Sequence, residues 1–271
     1  MNARRHGRRA RHALLALMGG ALLLPAGALA SPTGGGGLTG GAAPIGAPDA
    51  PTTTATSGKT PVSTSGDGLT LATVSSSLLR HRLAFSGTAA SLAGRQIEIE
   101  RDGRQTDWVW QPVARATVNA DGSFDASWQT NQAGRFAIRA IVAPSDLASA
   151  ADATPSLTVT VYRQSKATLY GPGLYGHQTA CGARLTKTTI GVANRTLRCG
   201  ATVSLLFGGQ TLSVPVIDRG PYANGADWDL TVATAQALGM EGTARIGAVA
   251  LPKMPAAAAA RRARRVGRAL R

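Results

Sequence analysis

The chain has 271 residues, a formal net charge of +15 and two cysteines. That length allows one to three domains. Charge of this sign suits an anionic surface. Nucleic acid is not expected as a partner, because the N-terminus reads as an export signal and exported proteins seldom meet nucleic acid.

Residues 1–30 carry that signal. MNARRHGRRARH is a basic stretch and ALLALMGGALLL a short apolar one. ALA at 28–30, before Ser31, fits a small-x-small cleavage site. The apolar run is short for a membrane span, so a cleaved signal peptide is the reading and an uncleaved anchor the alternative. No cysteine lies near the cleavage site to carry a lipid, and Arg8-Arg9 hints at twin-arginine export. The expected location is therefore outside the cytoplasmic membrane, secreted into a cell wall or a periplasm-like space.

Residues 31–71 are rich in Gly, Pro, Ser and Thr without apolar periodicity and are expected to be a flexible linker. Residues 72–163 alternate apolar and polar residues in LAFSG, RQIEIERDG, GRFAIRAIVA and PSLTVTVYR, with turn signals at DGR, ADGS and NQAGR. This spacing predicts a small all-β sandwich. Trp108 and Trp110 would share one face of a strand, either as packing or as a sugar platform. The pattern SGTAASLAGRQIEIER, VARATVNADGSFDASW and AGRFAIRAIV resembles bacterial immunoglobulin-like repeats, which implies a spacer or adhesion role and no chemistry.

Residues 166–252 form a second unit. Strands are expected in KATLYG, LTKTTIGVA, TVSLLFGG, QTLSVPVID and ARIGAVALP, with one helix at 231–240 capped by Asp229 or Thr231 and ended near Gly239. Many short strands with one helix suggest a compact β-barrel. An even cysteine count in an exported chain points to a Cys181–Cys199 disulfide, worth about 3 kcal/mol. Zinc is disfavoured, since His177 is the nearby histidine and three or four ligands are needed. No cofactor is expected. The tail at 253–271 is largely alanine and arginine, good helix formers that build no core. It is read as solvated, or as an adhesive for lipid headgroups or anionic wall polymers.

The stretches ATLYGPGLYGHQTACGARLT and GVANRTLRCGATVSLLFGGQTLSVPVIDRGPYANGADWDLTVATAQALGM resemble the rare lipoprotein A family. Those are double-psi β-barrel domains of septal lytic transglycosylases, related to expansins. The resemblance implies a six-stranded barrel with one short helix, and a disulfide tying the T-A-C-G and L-R-C-G turns. It also implies cleavage of peptidoglycan glycan strands without water, leaving 1,6-anhydro-muramyl ends. Asp218, in D-R-G-P, matches the family's catalytic aspartate and is expected as general acid/base. Asp229, in D-L-T, matches the acid that is central in the expansin-like relatives. A working acid needs a raised pKa, which burial or a like charge supplies.

Thr179, Asn194, Arg219, Tyr222, Trp228, Tyr170 and His177 are the expected substrate contacts. Tyr170, Tyr175, Tyr222 and Trp228 would stack on sugar faces, while Asp227 is expected in solvent. Two positions depart from the family. Ala183 stands where a glutamate is usual, and Asn194 where a histidine is usual. The expected function is that of a monomeric lytic transglycosylase of the wall. The alternative is a non-catalytic, expansin-like module that binds or loosens it.

Overall fold

The computed structural model describes residues 56–57, 60–143, 154–223, 225–251, 253, 255–260 and 264. The signal peptide expected at 1–30, residues 31–55 of the expected linker and most of the basic tail lie outside the described residues. Residues 256–260 of that tail are helical.

The described chain opens on a two-residue strand, β1 (Thr56–Ser57). An antiparallel sheet follows, built from β2 (Pro61–Gly66), β3 (Leu69–Val74), β5 (Arg82–Thr88) and β8 (Ser123–Gln129), in the order β2-β3-β5-β8. Two of these strands reach into the stretch expected as linker. PVSTSG and the LTL of LTLATV follow a Gly/Pro/Ser/Thr-rich run and read as its continuation, yet β2 pairs with β3 along its whole length. The second sheet contains β4 (Ser76–Leu78), β6 (Gln96–Asp102), β7 (Gln111–Thr117), β9 (Gly134–Val142) and the first half of β10 (Leu157–Tyr170).

Strand alternation explains why the two sheets face each other. β3 turns Leu69 and Leu71 inward, and β5 turns Leu83 and Phe85 inward. They share one core with Ile97, Ile99, Phe136, Ile138, Val159 and Val161 of the second sheet. Burying each such side chain stabilises the fold by roughly 2 kcal/mol. Trp108 and Trp110 are not strand residues. Asp107 and Trp108 adopt left-handed conformations (φ 51° and 59°), so the alternation breaks before β7 begins. Trp110 instead lies under the Arg139 guanidinium, 4.3 Å from ring centroid to Cζ.

The barrel is a closed ring of six strands. These are the second half of β10, β11 (Val192–Ala193), β12 (Thr202–Phe207), β13 (Gln210–Asp218), β14 (Trp228–Thr231) and β15 (Ala244–Leu251). The order is β14-β11-β13-β12-β15-β10, closed by β10 on β14. The β10–β14 and β11–β13 pairs are parallel and the other four antiparallel. β1 adds to the β13 edge at Thr211 and Gln210. Val203, Leu205, Leu212, Val214, Val216, Leu230 and Ile246 fill the interior.

One helix, α1 (Val232–Leu238), follows β14 directly. Its N-cap is Thr231, whose Oγ1 accepts from the Thr234 N–H at 3.2 Å, and Gly239 ends it in the left-handed conformation (φ 70°). Asp229 is therefore not spent on capping. The helix start is pinned to Gly191, whose N–H donates to Thr234 Oγ1 and whose carbonyl accepts from it. A Cβ on Gly191 would meet Ile217 at 2.6 Å, so only glycine allows this approach.

Two further expectations differ from what is observed. LTKTTIGVA forms a strand only at its last two residues. The hydroxyls of Thr186 and Thr189 bond each other, and Thr189 Oγ1 accepts from the Thr186 N–H, so local side-chain bonds displace the ladder. The expected boundary between the two units, at 164–165, falls inside a single strand. β10 pairs with β9 and β4 up to Tyr162, then with β15 and β14 from Arg163 onward.

Candidate active site

Strand register assembles the site. Thr168 on β10 stands opposite Asp229 on β14, and Asp229 stands opposite Ala193 on β11. Ala193 in turn is the partner of Asp218 on β13. Thr168, Asp229, Ala193 and Asp218 therefore form one row across four strands. Adjacent strands lie about 4.8 Å apart, which separates the backbones of the two acids by about 10 Å. Ala193 occupies the position between them in the row.

Each carboxylate is held differently. Asp229 Oδ1 accepts from the Thr168 hydroxyl at 2.9 Å. Asp218 Oδ1 accepts from two backbone N–H groups, Ala180 at 2.9 Å and Arg219 at 2.8 Å. Among the described residues neither acid has an arginine or lysine within ion-pair distance. Burial lifts the Asp229 carboxyl above the ordinary aspartate range; the Thr168 hydrogen bond pulls it back in part, and the charge of Asp218 pushes it up again. Tyr170 lies in the field of the same pair. Burial, then Asp218 and Asp229, push its phenol well above the usual tyrosine range.

The Cys181–Cys199 disulfide is formed, with 5.5 Å between the Cα atoms. It joins the two turns that flank Asp218. Ala180, the N–H donor to Asp218, precedes Cys181. Arg219 donates through Nη2 to Cys199 Sγ at 3.2 Å, and through Nη1 to the Asn194 carbonyl. Arg195, which the sequence did not single out, holds the loop beyond Asp218 by donating to the Pro221 and Ala226 carbonyls at 2.7 and 3.0 Å.

The other expected contacts divide. Tyr222 is 79% exposed beside the acid-bearing turn and offers a free ring. Trp228 is only 8% exposed and packs in the barrel core, so it is not a sugar platform. Alternation requires this, because Asp229 next to it faces away from that core. Asn194 is engaged by its own turn. Its Oδ1 accepts from the N–H groups of Thr196 and Leu197, and its Nδ2 donates to the Asp227 carbonyl. Thr179 shapes the 179–183 turn by accepting from the Ala183 N–H, so the donor to Asp218 is the backbone of Ala180 rather than the Thr179 hydroxyl. His177 is exposed and bonds to neither aspartate. Asp227 is exposed, as expected, and accepts from the Lys166 N–H. Thr168 was not anticipated. Its signal was the alternation in KATLYG, which puts Thr168 and Tyr170 on one face.

The six-stranded barrel that carries this row of side chains is similar to double-psi β-barrels of the RlpA-like type. Residues 162–251 match the model of the family described as lytic transglycolase. Two curated relatives cover the same region. One is a probable endolytic peptidoglycan transglycosylase RlpA from Synechocystis sp., 39% identical over 87 residues, or 31% of this chain and 27% of that protein. The other carries the same description in Aquifex aeolicus, 37% identical over 81 residues, or 29% of this chain and 36% of that protein. The chain thus spans about a third of the length of the relatives it matches.

Proposed function

We propose that the protein is an exported lytic transglycosylase that cuts the glycan strands of peptidoglycan. The observation that carries this reading is the pairing of two unneutralised carboxylates, of which Asp229 is raised by burial and by Asp218. A protonated acid is what departure of a sugar oxygen requires. These surroundings favour Asp229 over Asp218 as the proton donor. Asp229 gives its proton to the glycosidic oxygen as the bond from that oxygen to C1 breaks. The 6-hydroxyl of the same sugar then attacks C1 and returns its proton to Asp229, so no water is consumed. Asp218 supplies negative charge facing the cation-like centre, and the exposed ring of Tyr222 is suited to stack on a neighbouring sugar.

The N-terminal two-sheet region is proposed to be an immunoglobulin-like spacer, supported by its two facing sheets with a shared apolar core, and the basic tail an adhesive for anionic wall polymers or lipid headgroups. A second reading, a non-catalytic expansin-like module, is favoured by Ala183 and by Asn194, whose amide is engaged in its own turn. A digest separates the two. The protein, Asp229→Asn and Asp218→Asn are incubated with intact and with peptide-stripped peptidoglycan, and soluble products are read by mass spectrometry. Anhydro products from the unmodified protein, lost in Asp229→Asn, support the enzyme. Wall binding without products from any of the three leaves the binding module.

A further inference from the structure

The site contains a polar group that the mechanism above does not use. Tyr170 ends β10, two residues beyond Thr168, and so lies on the face that carries the Thr168–Asp229 hydrogen bond. Its hydroxyl is buried and has no hydrogen-bond partner among the described residues. Buried hydroxyls without partners are uncommon in native proteins and call for an explanation. The backbone around it is specialised. Gly171 follows at φ 151°, and a Cβ there would meet the Tyr175 hydroxyl at 2.8 Å. Only glycine leaves room for the Tyr175 ring against the residue that follows Tyr170.

We propose that Tyr170 is a substrate-contacting residue of the reaction, whose hydroxyl donates a hydrogen bond to a sugar oxygen lodged between Asp218 and Asp229. The proposal rests on the lytic transglycosylase reading and adds a residue to it. A phenol in the field of two carboxylates stays protonated, so it acts as a donor and not as a base. Beside two carboxylates, the phenol offers a sugar oxygen a neutral donor. Ala183 carries no polar side-chain group, and the Asn194 amide is engaged in its own turn. Tyr170 supplies polar contact that those positions do not. Because its hydroxyl is unpaired in the unliganded protein, binding the sugar satisfies it without breaking another bond.

Tyr170→Phe tests this, since it removes one oxygen and keeps the ring. The full chain and the variant are compared for anhydro-product formation and, separately, for binding to peptide-stripped glycan strands by sedimentation. Loss of one hydrogen bond to substrate lowers product formation by about tenfold or more and weakens glycan binding by about tenfold, with the melting temperature unchanged or slightly raised. Product formation and binding both equal to those of the unmodified protein would overturn the proposal. A drop in melting temperature with binding unchanged would also overturn it, because the hydroxyl would then be structural. If the unmodified protein forms no product yet Tyr170→Phe binds glycan more weakly, the enzyme reading fails while the contact stands.

Discussion

The two regions joined by β10 treat their acids in opposite ways. In the N-terminal sheets, Glu98 is neutralised by Arg115 and Glu100 by Arg139, each at 2.8 Å. Those pairs lie in a sheet whose other face is apolar core, and Arg139 also covers Trp110. In the barrel, Asp218 and Asp229 are held by backbone N–H groups and a hydroxyl, with no cation against either carboxylate among the described residues. An arginine would stabilise the charged form of Asp229 and so oppose the hold on its proton that burial and Asp218 give it. Glu98 and Glu100 are thus tied into their sheet, while Asp218 and Asp229 keep carboxylates without a counter-ion among the described residues.

The largest effect expected from that contrast is at Asp229. Asp229→Asn should lower anhydro-product formation on the order of a thousandfold. It should also raise the melting temperature at neutral pH. The folded state binds the Asp229 proton more tightly than the unfolded chain does, so this group's contribution to stability falls as pH rises from the ordinary aspartate range through the raised value. The gain should vanish in acid, where both states are protonated. Product assays and melting curves at two pH values check this, and a variant with full turnover would break the contrast.

Next comes the disulfide. Replacing Cys181 and Cys199 with serine opens a bridge between residues 18 apart and should cost about 3 kcal/mol of stability. Activity should fall more steeply than stability, because Ala180 and Arg219 both shape Asp218 and both adjoin the bridge. Turnover measured below the melting range, with and without reductant, separates the two effects.

A change in the other region should do the reverse. Arg139→Ala leaves the buried Glu100 unpaired and uncovers Trp110, at a cost of about 2 kcal/mol. Turnover at moderate temperature should stay the same. Loss of turnover without loss of stability would mean that the sheets take part in catalysis.

The smallest expected effect is a shift in pH dependence. Asp218→Asn removes a charge that raises Asp229, so the alkaline limb of the pH profile should move to lower pH. An unmoved limb in the residual activity would mean that the two acids are not coupled.

Local chemistry determined much of this protein from its sequence. Alternation marked most strands, the Thr231 and Gly239 signals bounded α1, and the even cysteine count pointed to the bridge that is formed. These features depend on neighbours a few residues away, so a linear reading captures them. Tertiary structure decided the rest. Whether Asp229 capped the helix or faced the site depended on Thr231 taking the cap. Whether Trp228 met sugar or core depended on which face of β14 closed the barrel. β10 runs through both regions because its two halves find different partners, which no local pattern records. Asp218 and Asp229 share a site only because β11 brings Ala193 between them, and that register is a property of the closed ring.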